Sequence, residues 1–193
     1  PGVTMERFVT TLELKDPVTH KVTKRKQHGI GSPAGRWWWS PNQTIAAGDK
    51  LYIVEACIDA LSLISVGKKA AALLSCSNYP VHSLRDMPVG VHYVCALDGD
   101  KAGRTSTRTL VARMRDEGYT VTAITVPQTG KKQDWNDLFQ AEKLTDDDFE
   151  YYAYHGSLLL SESAFDKALL MHARTGFSNF DLEYDNRWYW FEL

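Results

Sequence analysis

Leu51-Tyr-Ile-Val-Glu55-Ala-Cys-Ile-Asp59 and Val91-His-Tyr-Val-Cys-Ala-Leu-Asp98-Gly-Asp100-Lys-Ala-Gly103-Arg104 are two short apolar runs, each ending abruptly in carboxylates. A continuous apolar run of this length, bounded by turn residues, is the pattern of a strand buried on both faces. The first run delivers Glu55 at its exit, with Asp59 one helical turn later. The second delivers Asp98 and Asp100 across a single glycine, and Gly99 and Gly103 allow the turn there to be tight.

Outward from these runs, the chain from residue 50 to 143 alternates strands and helices. Strands are expected at 51–54, 70–74, 91–97 and 119–126. Helices are expected at 58–66, 105–117 and 135–143. Apolar strands alternating with helices predict an α/β fold, a mostly parallel sheet with helices on both faces, of the Rossmann-like kind. Ligands of such sheets sit outside the carboxyl ends of the strands, where Glu55, Asp98 and Asp100 fall. Residues 1–49 read as an N-terminal extension: strands at 7–13 and 21–27 around the Asp16-Pro17 turn form a β-hairpin, followed by a Gly/Ser/Pro-rich loop and Trp37-Trp38-Trp39. Residues 144–193 read as a C-terminal extension: a helix starting at Asp146-Asp147-Asp148, a second helix over 162–174, and an aromatic hairpin from strands at 177–182 and 187–191.

The 193 residues are 44% hydrophobic and 24% charged, with a net charge of −2, the makeup of an ordinary globular protein. There is no global basic signal, so contact with nucleic acid must come from local patches or from metal neutralising carboxylates. Cys57, Cys76 and Cys95 have no zinc-ligand spacing among themselves or with histidine, so no zinc site is expected and a reducing compartment is. No apolar run is long enough to span a membrane and no secretory leader is visible, which predicts a cytoplasmic protein with no membrane partner. The chain opens at Pro1 and closes inside an aromatic run, as a piece of a longer protein would.

The carboxylates suggest their own chemistry. Magnesium takes hard oxygen ligands, keeps several waters, and is held by one or two carboxylates plus substrate phosphates. Clustered acids repel one another, and a cation removes that repulsion while stabilising charge that develops during in-line displacement at phosphorus. Three other readings compete. A calcium loop would need glutamate where Thr109 stands. A phosphatase of the haloacid-dehalogenase type would want Thr or Val at Ala102 and has no use for Glu55. Simple helix capping would account for Asp98 and Asp100 but not for Glu55.

Together these residues resemble the Toprim family of primases, type IA and type II topoisomerases and nucleases. That family has a strand ending in glutamate, matched by Glu55, and a later strand ending in Asp-x-Asp, matched by Asp98 and Asp100. The form Asp98-Gly-Asp-Lys-Ala-Gly103 is similar to the primase version, as is an aspartate four residues after the glutamate, Asp59. Gly130-Lys-Lys-Gln-Asp134-Trp-Asn-Asp137-Leu-Phe139 looks like the acidic segment that follows the fourth strand in primases, with Asp134 as an auxiliary metal residue and the next acid at Asn136 or Asp137. Ala56 departs from the usual glycine. The resemblance implies metal-dependent nucleotidyl transfer with Mg2+ (or Mn2+) held by Glu55, Asp98 and Asp100, assisted by Asp59 and Asp134. It implies a single-stranded DNA template and nucleoside triphosphates as partners, and a helicase domain or partner of the kind found in phage, plasmid or mobile-element replication. Toprim nuclease or topoisomerase cleavage and a non-catalytic scaffold remain alternatives.

Lys101, Arg104, Lys131 and Lys132, beside the expected metal site, are candidates for holding nucleotide phosphates, and Lys24 and Arg25 on the basic hairpin for holding DNA. The three tryptophans could stack on bases or cover the edge of a core.

Overall fold

The structure is a computed structural model that describes residues 4–30, 33, 35–127, 133–175, 179–184 and 187–192. Side chains are described for residues 13–23, 33, 35–127 and 133–174. Strands β1 (Thr4–Lys15) and β2 (Val22–Ile30) pair antiparallel as the expected hairpin. The turn is held by Asp16, whose side chain accepts from the N–H groups of Val18 and Thr19.

The chain then lays down β3 (Trp38–Trp39), β4 (Lys50–Val54), α1 (Cys57–Ser65), β5 (Lys69–Ala72), α2 (Val81–Arg85), β6 (His92–Cys95), α3 (Lys101–Asp116) and β7 (Thr120–Ala123). These strands form one five-stranded sheet in the order β3-β5-β4-β6-β7, parallel throughout except for β3. The doubly covered parallel sheet expected from the sequence is therefore present. Successive side chains of a strand point to opposite faces, and two cores result. Leu51, Ile53, Tyr93, Cys95, Val121 and Ala123 meet Leu110, Val111 and Met114 of α3 on one face. On the other, Tyr52, Val54, Val94 and Ala96 meet Ala60 and Leu63 of α1.

The sequence offered the tryptophans a core edge as one of two roles; the strand they form there, and one short helix, it did not show. Trp38 and Trp39 are strand residues of the main sheet, paired with Ala72 and Ala71, and Trp37 is buried against Tyr93 with ring centroids 6.4 Å apart. The tryptophans cover a core edge, so the packed body begins ahead of residue 50. Helix α2 carries five residues, too few to show a period.

After β7 come α4 (Trp135–Gln140), α5 (Asp146–Leu160) and α6 (Ala164–Thr175), then β8 (Asn179–Tyr184) and β9 (Arg187–Glu192), which pair antiparallel. The acids that open α5 suit its amino end, where Thr145 and Asp148 form a capping box. Phe149 and Tyr152 of α5 enter the second core beside Trp135, so this helix belongs to the same packed body as the sheet. Among the described residues no helix is long and apolar enough to cross a membrane.

Candidate metal-dependent active site

From β4 the chain crosses by α1 to β5 on one side, while β6 flanks β4 on the other and leaves through α3 on the opposite face. Strand order reverses between β4 and β6, and such a switch point opens a crevice outside the carboxyl ends of the two strands. The acids lie on its rim.

Glu55 is the first residue beyond β4 and is half-buried; its carbonyl accepts the Leu74 N–H at 2.9 Å. Leu74 has φ of 66°, a left-handed conformation costly for leucine, at this end of β5. Asp98, also half-buried, leaves β6 at the neighbouring exit. Asp100 caps α3, its Oδ1 accepting the Gly103 N–H at 2.8 Å, and Arg104 Nη1 donates to the Gly99 carbonyl at 2.9 Å. A Cβ on Gly103 would stand 2.1 Å from the Asp98 carbonyl oxygen, so α3 can start this close to the strand exit only with glycine there.

Asp59 is 3% exposed, and its Oδ1 accepts the Asn136 N–H at 3.1 Å. That bond joins α1 to α4. Helix α4 is anchored in turn by Trp135, whose Nε1–H donates to the Ala96 carbonyl at 2.6 Å. Asp134 caps α4, accepting the Asp137 N–H at 2.8 Å while Asp137 accepts back from the Asp134 N–H. Asp137 is thus engaged in the cap, and Asn136 contributes its backbone N–H to Asp59. Asn136 Oδ1 also lies 3.3 Å from the Ser62 hydroxyl. The part played by Ser62 and by the Asn136 backbone was not legible in the sequence, because the pairing spans more than seventy residues.

The electrostatics tie three acids together. Burial pushes the Asp59 carboxyl up to about 7, and the negative charges of Asp134 and Asp98 push it the same way, against hydrogen bonds from the backbone at Asn136 and Ala56. A buried carboxyl that other carboxylates hold toward its neutral form is one that a cation would relieve. The folded state keeps the Asp59 proton that the unfolded chain gives up near 3.8, so the domain loses stability as pH rises from about 4 to about 7. In EDTA, Asp59→Asn, which keeps an oxygen for the Asn136 N–H, is expected to be nearly neutral at pH 4 and to stabilise by on the order of 2–4 kcal/mol at pH 8. Thermal melts of both proteins at the two pH values check this; an equal effect at both would show that Asp59 carries no such burden.

Of the nominated residues, Asp59, Asp98 and Asp134 are brought into electrostatic contact. Asp100 points one oxygen into its own helix. Lys101 and Arg104 are exposed on the first turn of α3. Lys131 and Lys132 lie outside the described residues, and Lys24 and Arg25 fall on β2 with side chains outside that description. Among the described residues no group of three or more His, Cys, Asp or Glu side chains stands together as a ready metal cage. Magnesium does not require one, since one or two carboxylates with water and substrate phosphate complete its shell. The hard-oxygen donor set and the raised proton affinity of Asp59 suit that cation.

A family model described as Toprim-like matches residues 52–139, which contain Glu55, Asp59, Asp98, Asp100 and Asp134. Residues 52–139 are a Toprim-like domain. This Toprim domain begins within β4, takes in β5 to β7 and ends within α4. No curated protein sequence matches the chain. Among solved structures, the chain is similar to a DNA primase domain from Pseudomonas aeruginosa, at 16% identity over 86% of this chain and 74% of that one, with a TM-score of 0.47. It is similar to a DnaG catalytic core at 19% identity, covering 68% of this chain and 46% of that one, with a TM-score of 0.44. A DnaG primase catalytic domain bound to ssDNA gives 20% identity, the same coverages and a TM-score of 0.43. The chain spans 46% of the length of those two catalytic cores.

Proposed function

We propose that the chain carries the Toprim part of a DNA primase, which joins ribonucleoside triphosphates into an RNA primer on a single-stranded DNA template during replication of a phage, plasmid or mobile element. The observation that carries the reading is the burial of Asp59 beside the charges of Asp134 and Asp98, within a Toprim domain whose Asp98-Gly-Asp-Lys-Ala-Gly103 turn has the primase wording. A helicase, in the same chain or separate, is the partner class that goes with it.

In this reading Glu55, Asp98 and Asp100 hold Mg2+ or Mn2+, with Asp59 and Asp134 behind them. When bound, the metal orients the triphosphate and neutralises charge developing on its oxygens. The chain's own work is positioning. Lys101 and Arg104 receive phosphates at the start of α3, and Lys131, Lys132, Lys24 and Arg25 contact the template or nucleotide backbone. The primer 3′-hydroxyl attacks the α-phosphate and pyrophosphate leaves, so the protein needs no covalent nucleophile.

Incubation with a single-stranded template, the four ribonucleotides and Mg2+ or Mn2+ should yield short oligoribonucleotides. Nicking or relaxation of supercoiled DNA without such products would move the assignment to a Toprim nuclease or topoisomerase. A binding-only scaffold has two observations in its favour: one Asp100 oxygen is taken up by its helix cap and, among the described residues, no ready three-residue cage exists. That reading predicts neither synthesis nor metal binding.

A further inference from the structure

Helix α3 starts at the carboxylate rim and runs away from it for 16 residues, and its cations are not spread at random. Lys101, Arg104, Arg108 and Arg115 are all exposed. At about 100° per residue they fall within roughly 60° of one another around the helix, and at about 1.5 Å per residue the first and last are roughly 21 Å apart along it. The buried residues Gly103, Thr107, Leu110, Val111 and Met114 take a separate face. The remaining cation of α3, Arg113, is turned elsewhere, over the Tyr79 ring at 3.5 Å and 3.2 Å from Glu117.

The far end of the stripe opens into a groove of about 720 Å³ between α3 and the junction of α5 and α6, lined by Arg108, Ala112, Arg115, Leu159 and Lys167. Its two arginines are held by backbone. Arg108 Nε donates to the Leu159 carbonyl at 3.0 Å, and Arg115 Nε and Nη2 donate to the Val121 carbonyl at 3.4 and 3.2 Å. Each guanidinium is thereby oriented in advance and keeps further N–H groups to offer an anion. Three cations outnumber the two carboxylates, Asp116 and Glu162, that also line the groove.

We propose that this stripe and groove form a track for the sugar-phosphate backbone of a single-stranded nucleic acid, carrying the strand from the carboxylate rim past Lys101 and Arg104 to Arg108, Arg115 and Lys167. The identity of the strand as template or primer rests on the primase reading; the track itself does not. A row of cations along some 20 Å of straight helix matches a ligand that carries one negative charge per nucleotide.

The test uses the chain and a fluorescein-labelled single-stranded oligonucleotide, read by anisotropy over a range of salt. Ala112 is exposed, lines the groove and, at the same 100° per residue, lies about 20° beyond Lys101 at the edge of the stripe, and both Glu and Lys suit a helix. Ala112→Glu should weaken binding roughly fivefold and Ala112→Lys should tighten it roughly twofold, without removing a native bond. Arg108→Gln with Arg115→Gln should lower the salt slope by about 1.4, at roughly 0.7 per phosphate contact on a single strand. Arg108→Lys with Arg115→Lys, which keeps the charge, should retain most of the slope. Affinity and slope unchanged in the Ala112 variants would overturn the track, as would shifts seen with polyglutamate but not with the oligonucleotide. Predicted shifts in a chain that makes no primers would uphold the track and remove the primase reading; synthesis without the shifts would do the reverse.

Discussion

Asp98→Asn is expected to lower template-directed ribonucleotide joining by at least about 10²–10³-fold while leaving the circular dichroism spectrum unchanged. The carboxylate stands at the exit of β6, where its charge helps hold Asp59 toward the neutral form. Asparagine keeps the shape and removes the charge, so a cation is held less well and the attacking and leaving oxygens lose their alignment. The backbone of Asp98 is what meets Gly103, and a change confined to its side chain leaves that contact intact. The expected loss is therefore one of turnover and not of fold. Full activity in this variant would separate Asp98 from the chemistry.

Gly156→Ala is expected to destabilise the protein by about 3 kcal/mol, lowering the melting temperature by roughly 6–12 °C. Helix propensity alone predicts the opposite, a gain of about 1 kcal/mol from replacing a glycine inside α5. Packing decides the sign. A Cβ at Gly156 would stand 2.0 Å from the Ala123 carbonyl oxygen, 2.4 Å from its carbon and 2.8 Å from Ile124 Cα, all backbone atoms at the end of β7. These atoms cannot yield: the Ile124 N–H donates to the Cys95 carbonyl at 2.9 Å, and the Thr125 N–H to the Tyr152 carbonyl at 3.1 Å. The helix must move instead, withdrawing Phe149 and Tyr152 from Trp135. Trp135 carries the turn that presents Asp134 and the Asn136 N–H to the rim, so the same substitution should also loosen the site. Thermal unfolding followed by circular dichroism checks the effect, and a variant as stable as the parent would mean that α5 does not press on β7 this closely.

What was legible in the sequence were features whose cause is local. The runs ending in Glu55 and Asp98 declared themselves as buried strands because nearly every residue in them is apolar, His92 excepted, and the helix of Lys101 to Asp116 declared itself from residue 105 onward through its period. Long-range effects were not legible. Trp38 and Trp39 become a sheet edge only by pairing with Ala72 and Ala71, 34 and 32 residues on, and Gly156 is explained only by a carbonyl 33 residues earlier. Asp59 shows the same limit: a first-turn acid is ordinarily solvated, and only the docking of α4 buries it. Asp134 and Asp100 each cap a helix while standing at the rim, so capping and site are not exclusive there.

In the proposed reading, acids distant in the chain seat a divalent cation at the ends of β4 and β6. Titration calorimetry of the metal-free protein with Mn2+ tests it most directly. A saturable binding event is predicted in the parent, weakened at least about tenfold in Asp98→Asn. No binding in the parent, or equal affinity in the two proteins, would contradict it.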